Sequence, residues 1–119
     1  MKKFYFLSTC NTCQRILDHL DLGVDFELQD IKKTPITSNQ LKQLKELSGS
    51  YEGLFSKRAK LYKELGLKEK FLDENDYKNY ILEHYTFLKR PVLVLDEQLF
   101  IGNSPKVINS AKTAILNEK

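Results

Sequence analysis

The sequence predicts an α/β fold: a β-α-β unit, a helical insert, then a β-β-α unit, with the strands meeting in one mixed four-stranded sheet. Three observations predict it. An aromatic, apolar run, Phe4-Tyr5-Phe6-Leu7, ends at Ser8-Thr9 and gives way to a helical pattern, with Cys10 and Cys13 at the junction. A second run, alternating apolar and polar, follows Gly23. Far downstream, beyond a charged helical stretch, come an apolar run, a tight turn, a short return run and a capped helical pattern.

The chain has 119 residues, a length suited to one domain with one core. Hydrophobic residues make up 41% and charged residues 29%, which is ordinary for a globular protein. No apolar run approaches the ~20 residues of a membrane span, so no membrane partner is expected. Met1-Lys2-Lys3 leads straight into a short strand, too short for a signal peptide's apolar segment. A cytoplasmic location is expected, where thiols are kept reduced. The net charge of +3 is mild and gives no ground for direct nucleic-acid binding.

The first strand ends at Ser8-Thr9. Cys13, Ile16, Leu17 and Leu20 then recur at helical spacing, so a helix is expected from about Asn11 to Leu20. Gly23 stands just past it, where a capping glycine is expected. Val24-Asp25-Phe26-Glu27-Leu28 reads as the second strand, parallel to the first because a right-handed helical crossover joins them. The insert covers about 37–86. Thr37 or Ser38 caps its first helix, with Gln40 placed for a capping box and Leu41, Leu44 and Leu47 as the stripe. Gly49-Ser50 breaks it. Leu54, Phe55, Ala59, Leu61 and Tyr62 suggest a helix ending near Gly66. Asp73 or Asn75 caps a third, carrying Tyr77, Tyr80, Ile81 and His84-Tyr85. Its lysines and glutamates read as a solvated face.

Val92 to Leu95 reads as a strand buried on both faces. Asp96-Glu97 turns, and Gln98 to Gly102 returns as a hairpin partner. Ser104 caps the last helix, with Pro105 at its first position and Val107, Ile108, Ala111, Ala114 and Ile115 as its stripe. This order describes a thioredoxin-like sheet. In that architecture a proline opens the third strand opposite the cysteine-bearing helix, and Pro91 holds that place, with a cis bond expected at Arg90-Pro91.

A cysteine at the mouth of a helix meets free backbone N–H groups and the positive end of the dipole. Both favour the thiolate, which is the nucleophile. Cys10 is therefore the candidate nucleophile, and Cys13, one turn further in, is placed to resolve an intermediate formed on it. Two other readings of the pair are inert buried side chains and half of a zinc site. Zinc needs about four ligands, there is no third cysteine, and His19 and His84 show no knuckle spacing. No metal is expected, and redox or nucleophilic chemistry is the reading that the context favours.

Taken in order, the strand before Cys10, Asn11-Thr12-Cys13-Gln14-Arg15, Ser56-Lys57-Arg58, Leu61-Tyr62-Lys63-Glu64-Leu65, Arg90-Pro91-Val92 and Gly102 form a specific set. With them the chain resembles, over essentially its full length, the arsenate reductase (ArsC) family of thioredoxin-like proteins, closest to the Spx and YffB-like branches. The resemblance implies that Cys10 is the catalytic or redox cysteine, that Arg90 binds an oxyanion and that Pro91 is the cis-proline. A thiolate attacking an oxyanion needs positive charge, which arginine supplies as a planar set of donors. Arg58 is shifted by two residues, as in the Spx and YffB-like branches, and is a second candidate anion ligand.

The departures from the reductases are as informative. Phe6 stands where glutaredoxin-linked members carry a histidine, and Ser56 and Gly102 where they carry arginines. Losing a charge-assisted donor costs ~1.5–3 kcal/mol each, so arsenate activity is expected to be weak. Two function classes follow. In one, the chain is an arsenate-reductase-like thiol oxidoreductase acting on a small oxyanion or a disulfide. It needs no cofactor beyond an external thiol such as glutathione, or a thioredoxin or glutaredoxin partner. In the other, it is an Spx-like regulator that contacts RNA polymerase and uses Cys10–Cys13 as a redox sensor. The Cys-x-x-Cys is an Spx trait.

Overall fold

A computed structural model describes residues 1–118. The chain divides into two compact units, Met1–Thr34 with Arg90–Lys119, and Pro35–Lys89, the latter called the insert.

The first unit is built on a four-stranded mixed sheet of order β2-β1-β3-β4, from β1 (Lys2–Phe6), β2 (Glu27–Asp30), β3 (Val92–Leu95) and β4 (Gln98–Ile101). β1 runs parallel to β2 and antiparallel to β3, and β3 pairs antiparallel with β4. Helix α1 (Asn11–Leu20) links the parallel pair, and α5 (Pro105–Asn117) closes the unit. Alternation along β1 sets the core. Phe4 lies opposite Leu93 and packs with Leu95, Ile16, Leu20, Ala111 and Ile115, so both helices cover one sheet face. Ser104 caps α5 through the Val107 N–H, with Pro105 next. Asp96 takes φ 57° in the hairpin turn.

The second strand differs from its predicted span. It occupies Glu27–Asp30 rather than 24–28, and Val24 lies fully exposed in the turn before it. The left-handed C-cap of α1 is Asp21, φ 50°, not a position beside Gly23. An aspartate tolerates this conformation, so the helix ends at Leu20 as expected with its cap two residues before Gly23.

The insert holds α2 (Ser38–Ser48), α3 (Lys60–Glu64) and α4 (Glu74–Glu83). Thr37 and Gln40 form a capping box on α2, and Asp73 and Asp76 one on α4. Gly49, φ 92°, ends α2. The helix expected from Leu54 to Gly66 shrinks to α3. Leu54 ends a 3₁₀ turn, and Phe55 is extended and bridges to Leu88. Burial explains this: Phe55 stacks on Phe87 at 5.1 Å between centroids and meets Tyr77 at 4.9 Å, contacts a helix through residue 55 would turn away. Helix α4 stops at His84, whose imidazole bonds Thr86 and stacks on Tyr85.

Candidate active site

Strand β1 delivers the chain to the start of α1, and Cys10 is the N-cap residue, φ −98°, ψ 114°. Its carbonyl accepts the Gln14 N–H at 3.1 Å, the first helical bond. Its thiol makes no capping hydrogen bond by strict geometry, so the first turn's amides are open to a charged partner. Cys10 is partly exposed, Cys13 is buried on the inner face of α1, and both are free thiols.

The two thiols differ in acidity. Burial pushes the Cys10 thiol up. The Cys13 amide, the Cys13 thiol, the Thr12 amide and the Arg90 charge outweigh it, and the balance is downward. Cys13 goes the other way, to about 11, chiefly through burial; the Leu7 backbone is next and lowers it, the neighbouring Cys10 raises it, and the Arg90 charge lowers it least. One turn of helix therefore carries a nucleophile-like thiol at its mouth and a proton-holding thiol beneath it.

A second set of residues fixes the loop before Cys10. Asp30, at the end of β2, accepts hydrogen bonds from the Ser8 hydroxyl, from the Ser8 N–H at 3.4 Å and from the Lys32 N–H at 3.2 Å. The Ser8 hydroxyl, first among these donors, holds the Asp30 carboxyl below its usual range. Gln14 donates from its side-chain amide to the Ser8 carbonyl at 3.4 Å, and the Cys10 N–H donates to the Leu7 carbonyl at 3.0 Å. Sequence reasoning missed Ser8, Gln14 and Asp30. The available signal was a serine two residues ahead of the cysteine and an acid at the end of the next strand.

Of the predicted site residues, Cys10, Cys13 and Arg90 come together in the sheet unit, since the Arg90 charge acts on both thiols. The Arg90–Pro91 peptide is cis, Pro91 is buried at the start of β3, and its carbonyl accepts the Gly102 N–H at 2.9 Å. Gly102 has φ 92°, a conformation that side chains with a Cβ rarely adopt, so an arginine there would require a different backbone. Arg58 lies in the insert, exposed in the turn before α3, with no hydrogen bond or ion pair among the described residues. Its neighbour Lys57 pairs with Glu52 at 2.9 Å. Arg15 is exposed and, among the described residues, donates to the Thr12 hydroxyl at 3.5 Å. No group of three or more His, Cys, Asp or Glu suited to a metal occurs among the described residues. No described helix is long and apolar enough to cross a membrane.

The ArsC family model matches residues 5–111, nine-tenths of the chain and all of the site. The chain belongs to the ArsC family. Within it, the chain is 27% identical over 105 residues to the global transcriptional regulator Spx 2 of Bacillus anthracis, covering 86% of this chain and 79% of the relative. A Staphylococcus aureus protein solved by NMR in solution is 28% identical, with a TM-score of 0.75 over 92% of this chain and 97% of that one. The arsenate reductase of Vibrio cholerae superposes with a TM-score of 0.75 at 21% identity, covering 98% and 95%. This last likeness concerns the fold, which is the thioredoxin-like arrangement of this ArsC-family sheet.

Proposed function

We propose that this ArsC-family chain is a thiol oxidoreductase in which Cys10 attacks and Cys13 resolves. The opposite displacement of the two thiols' acidities beside Arg90 carries the reading. The Cys10 thiolate attacks one sulfur of a substrate disulfide, forming a mixed disulfide and releasing the other substrate sulfur as a thiolate. Cys13 then gives up its proton and attacks the Cys10 sulfur. This forms the Cys10–Cys13 disulfide and releases the second substrate thiol. Two electrons pass to the substrate, and an external thiol such as glutathione, or thioredoxin, returns them. Sequential thiols also suit an oxyanion substrate, with Arg90 supplying positive charge.

Arsenate is a poor fit. Phe6, Ser56 and Gly102 stand where the reductases carry a histidine and arginines, and Gly102's backbone does not suit an arginine. The test is alkylation of Cys10 by iodoacetamide across pH, run beside arsenate turnover with glutathione–glutaredoxin or thioredoxin as donor. Alkylation at Cys10 half-maximal below pH 9 with weak arsenate turnover is expected. Alkylation with an ordinary thiol profile removes the proposal.

The Spx relatives and the Cys-x-x-Cys favour a second reading. Here the chain is a redox-sensing transcriptional regulator that contacts RNA polymerase, and disulfide formation at Cys10–Cys13 is the signal. A pull-down from cell extract separates the readings. A Cys13→Ser variant that traps Cys10-dependent mixed disulfides supports the enzyme, whereas RNA polymerase recovered with the unaltered chain supports the regulator.

A further inference from the structure

Asp30 stands where β2 ends. It lies opposite Phe6 at the last register position of the parallel pair, where β1 leaves the sheet for the Cys10 loop. The Ile31 N–H donates to the Phe6 carbonyl at 2.9 Å and closes the ladder there. The Asp30 carboxylate reaches Ser8, two residues beyond Phe6 and two before Cys10. Oδ1 accepts the Ser8 N–H at 3.4 Å and the Lys32 N–H at 3.2 Å, and Oδ2 accepts the Ser8 hydroxyl. The Ser8 carbonyl in turn accepts the Gln14 side-chain amide at 3.4 Å, and the Gln14 N–H donates to the Cys10 carbonyl at 3.1 Å. One chain of hydrogen bonds therefore runs from the sheet, through the loop, to the first turn of α1, with Cys10 inside it.

The charge of Asp30 has the wrong sign to help its neighbour. A carboxylate near a thiol favours the neutral thiol, because like charges repel. Any benefit to the Cys10 thiolate therefore comes from geometry. The Cys13 and Thr12 amides lower the Cys10 thiol, and a hydrogen-bond donor loses effect steeply with distance and angle. The start of α1 has no side-chain cap, so the loop that carries Cys10 has to be fixed from outside the helix. Ser8 anchors that loop, and Asp30 holds Ser8. The carboxylate's own charge is offset by its three donors and by the nearby Lys33 charge.

We propose that Asp30 is a positioning residue for Cys10: through Ser8 it fixes the N-cap loop so that the Cys10 sulfur stays against the first-turn amides of α1. It acts by where its oxygens stand and not by its charge. Asp30 has this role only within the thiol chemistry proposed for Cys10. Two variants separate position from charge. In Asp30→Asn the amide oxygen, standing at Oδ1, keeps the Ser8 and Lys32 N–H groups. The amide nitrogen, standing at Oδ2, donates to the Ser8 hydroxyl, which turns round to accept. The geometry stays and the charge goes. Asp30→Ala removes both.

The test is iodoacetamide labelling of Cys10 against pH in the reduced full chain, read by mass spectrometry, with urea unfolding of each variant beside it. Asp30→Ala should slow Cys10 labelling at pH 7 about fivefold and move its midpoint up toward the ordinary thiol value. Asp30→Asn should label within about twofold of the unaltered chain, or faster. Ser8→Ala loses the hydroxyl but keeps the N–H, so it should fall between, and Ser8→Thr should restore the rate. Cys13 is buried, so its labelling at pH 7 reports a variant that has unfolded. If Asp30→Ala unfolds, the two Ser8 variants and Asp30→Asn decide. An unchanged Cys10 profile in folded Asp30→Ala or in Ser8→Ala, even with lower urea stability, leaves Asp30 merely structural and overturns the proposal. Faster labelling in Asp30→Ala and Asp30→Asn alike assigns the effect to charge and overturns it too, as does Asp30→Asn labelling as slowly as Asp30→Ala. An ordinary thiol profile in the unaltered chain is a different failure: it removes Cys10 as the nucleophile, and the positioning role with it.

Discussion

Helix starts are treated differently in the two units. In the insert, the two longer helices, α2 and α4, begin with side chains that satisfy the first amides, Thr37 with Gln40 and Asp73 with Asp76, whereas the five-residue α3 starts at Ala59 without one; Glu74 accepts the Tyr51 and Glu52 N–H groups at 2.7 and 3.0 Å. In the sheet unit, α5 is capped by Ser104 in the same way, but α1 begins at Cys10 with no side-chain capping bond. The polar groups around that exception, Ser8, Asp30 and Gln14, hold the loop rather than the helix amides. An uncapped start forgoes about 1 kcal/mol of helix stability and leaves donors for a thiolate. The insert's polar groups close backbone ends, and its interior is an aromatic cluster with no thiol.

The sharpest way to break this distinction is Cys10→Ser. It installs a good cap, so thiol chemistry should vanish while stability rises by about 0.5–1 kcal/mol. Mass spectrometry of alkylated protein and urea unfolding read the two effects, and residual fast alkylation would mean that Cys13 is the nucleophile. Next in size is Phe55→Ala in the insert. Phe55 is 1% exposed and meets three other rings, so about 3–5 kcal/mol should be lost in urea unfolding. A loss below 1 kcal/mol would show that the cluster does not hold the insert together.

Arg90→Gln removes a charge that lowers both thiols. Cys10 alkylation at pH 7 should slow about fivefold, and Arg90→Lys should restore most of it. An unchanged pH profile would leave the helix amides as the whole cause. The thiols also set an alkaline limit. Cys13's pKa in the folded chain, about 11, lies above its ordinary 9.0, so the folded state binds this proton more tightly. That contribution is complete below about pH 9 and disappears as pH climbs to about 11. Tyr5, pushed by burial to about 12 from 10.0, adds the same trend higher up. Cys10, being lowered, contributes oppositely: its share is present above the ordinary thiol value and lost as pH falls through its folded value. Stability of the reduced chain in urea should therefore decline from pH 9 to 11, and Cys13→Ser should flatten that decline. The smallest change is Asp73→Ala, which opens a capped start in the insert at about 1 kcal/mol, with no effect on either thiol's alkylation profile.

The sequence by itself determined the element order along the chain, the capping residue Ser104, the choice of cap between Thr37 and Ser38 and between Asp73 and Asn75, and the placement of Cys10 at a helix mouth. These are local matters: hydrophobic period, a cap three residues from its partner, a thiol beside the amides of its own helix. It began β2 at Val24 rather than Glu27, because Val24, Phe26 and Leu28 alternate as strand residues do, whereas only Glu27 to Asp30 pair with β1. It overextended α3, because the apolar spacing of Leu54 to Tyr62 does not reveal that Phe55 is held by Phe87 and Tyr77, rings more than twenty residues away. Only the tertiary structure brought Asp30 to Ser8 and Arg90 to the cysteines. It also made one thiol acidic and the other not, since burial and charge at a site depend on chain segments that no local pattern brings together.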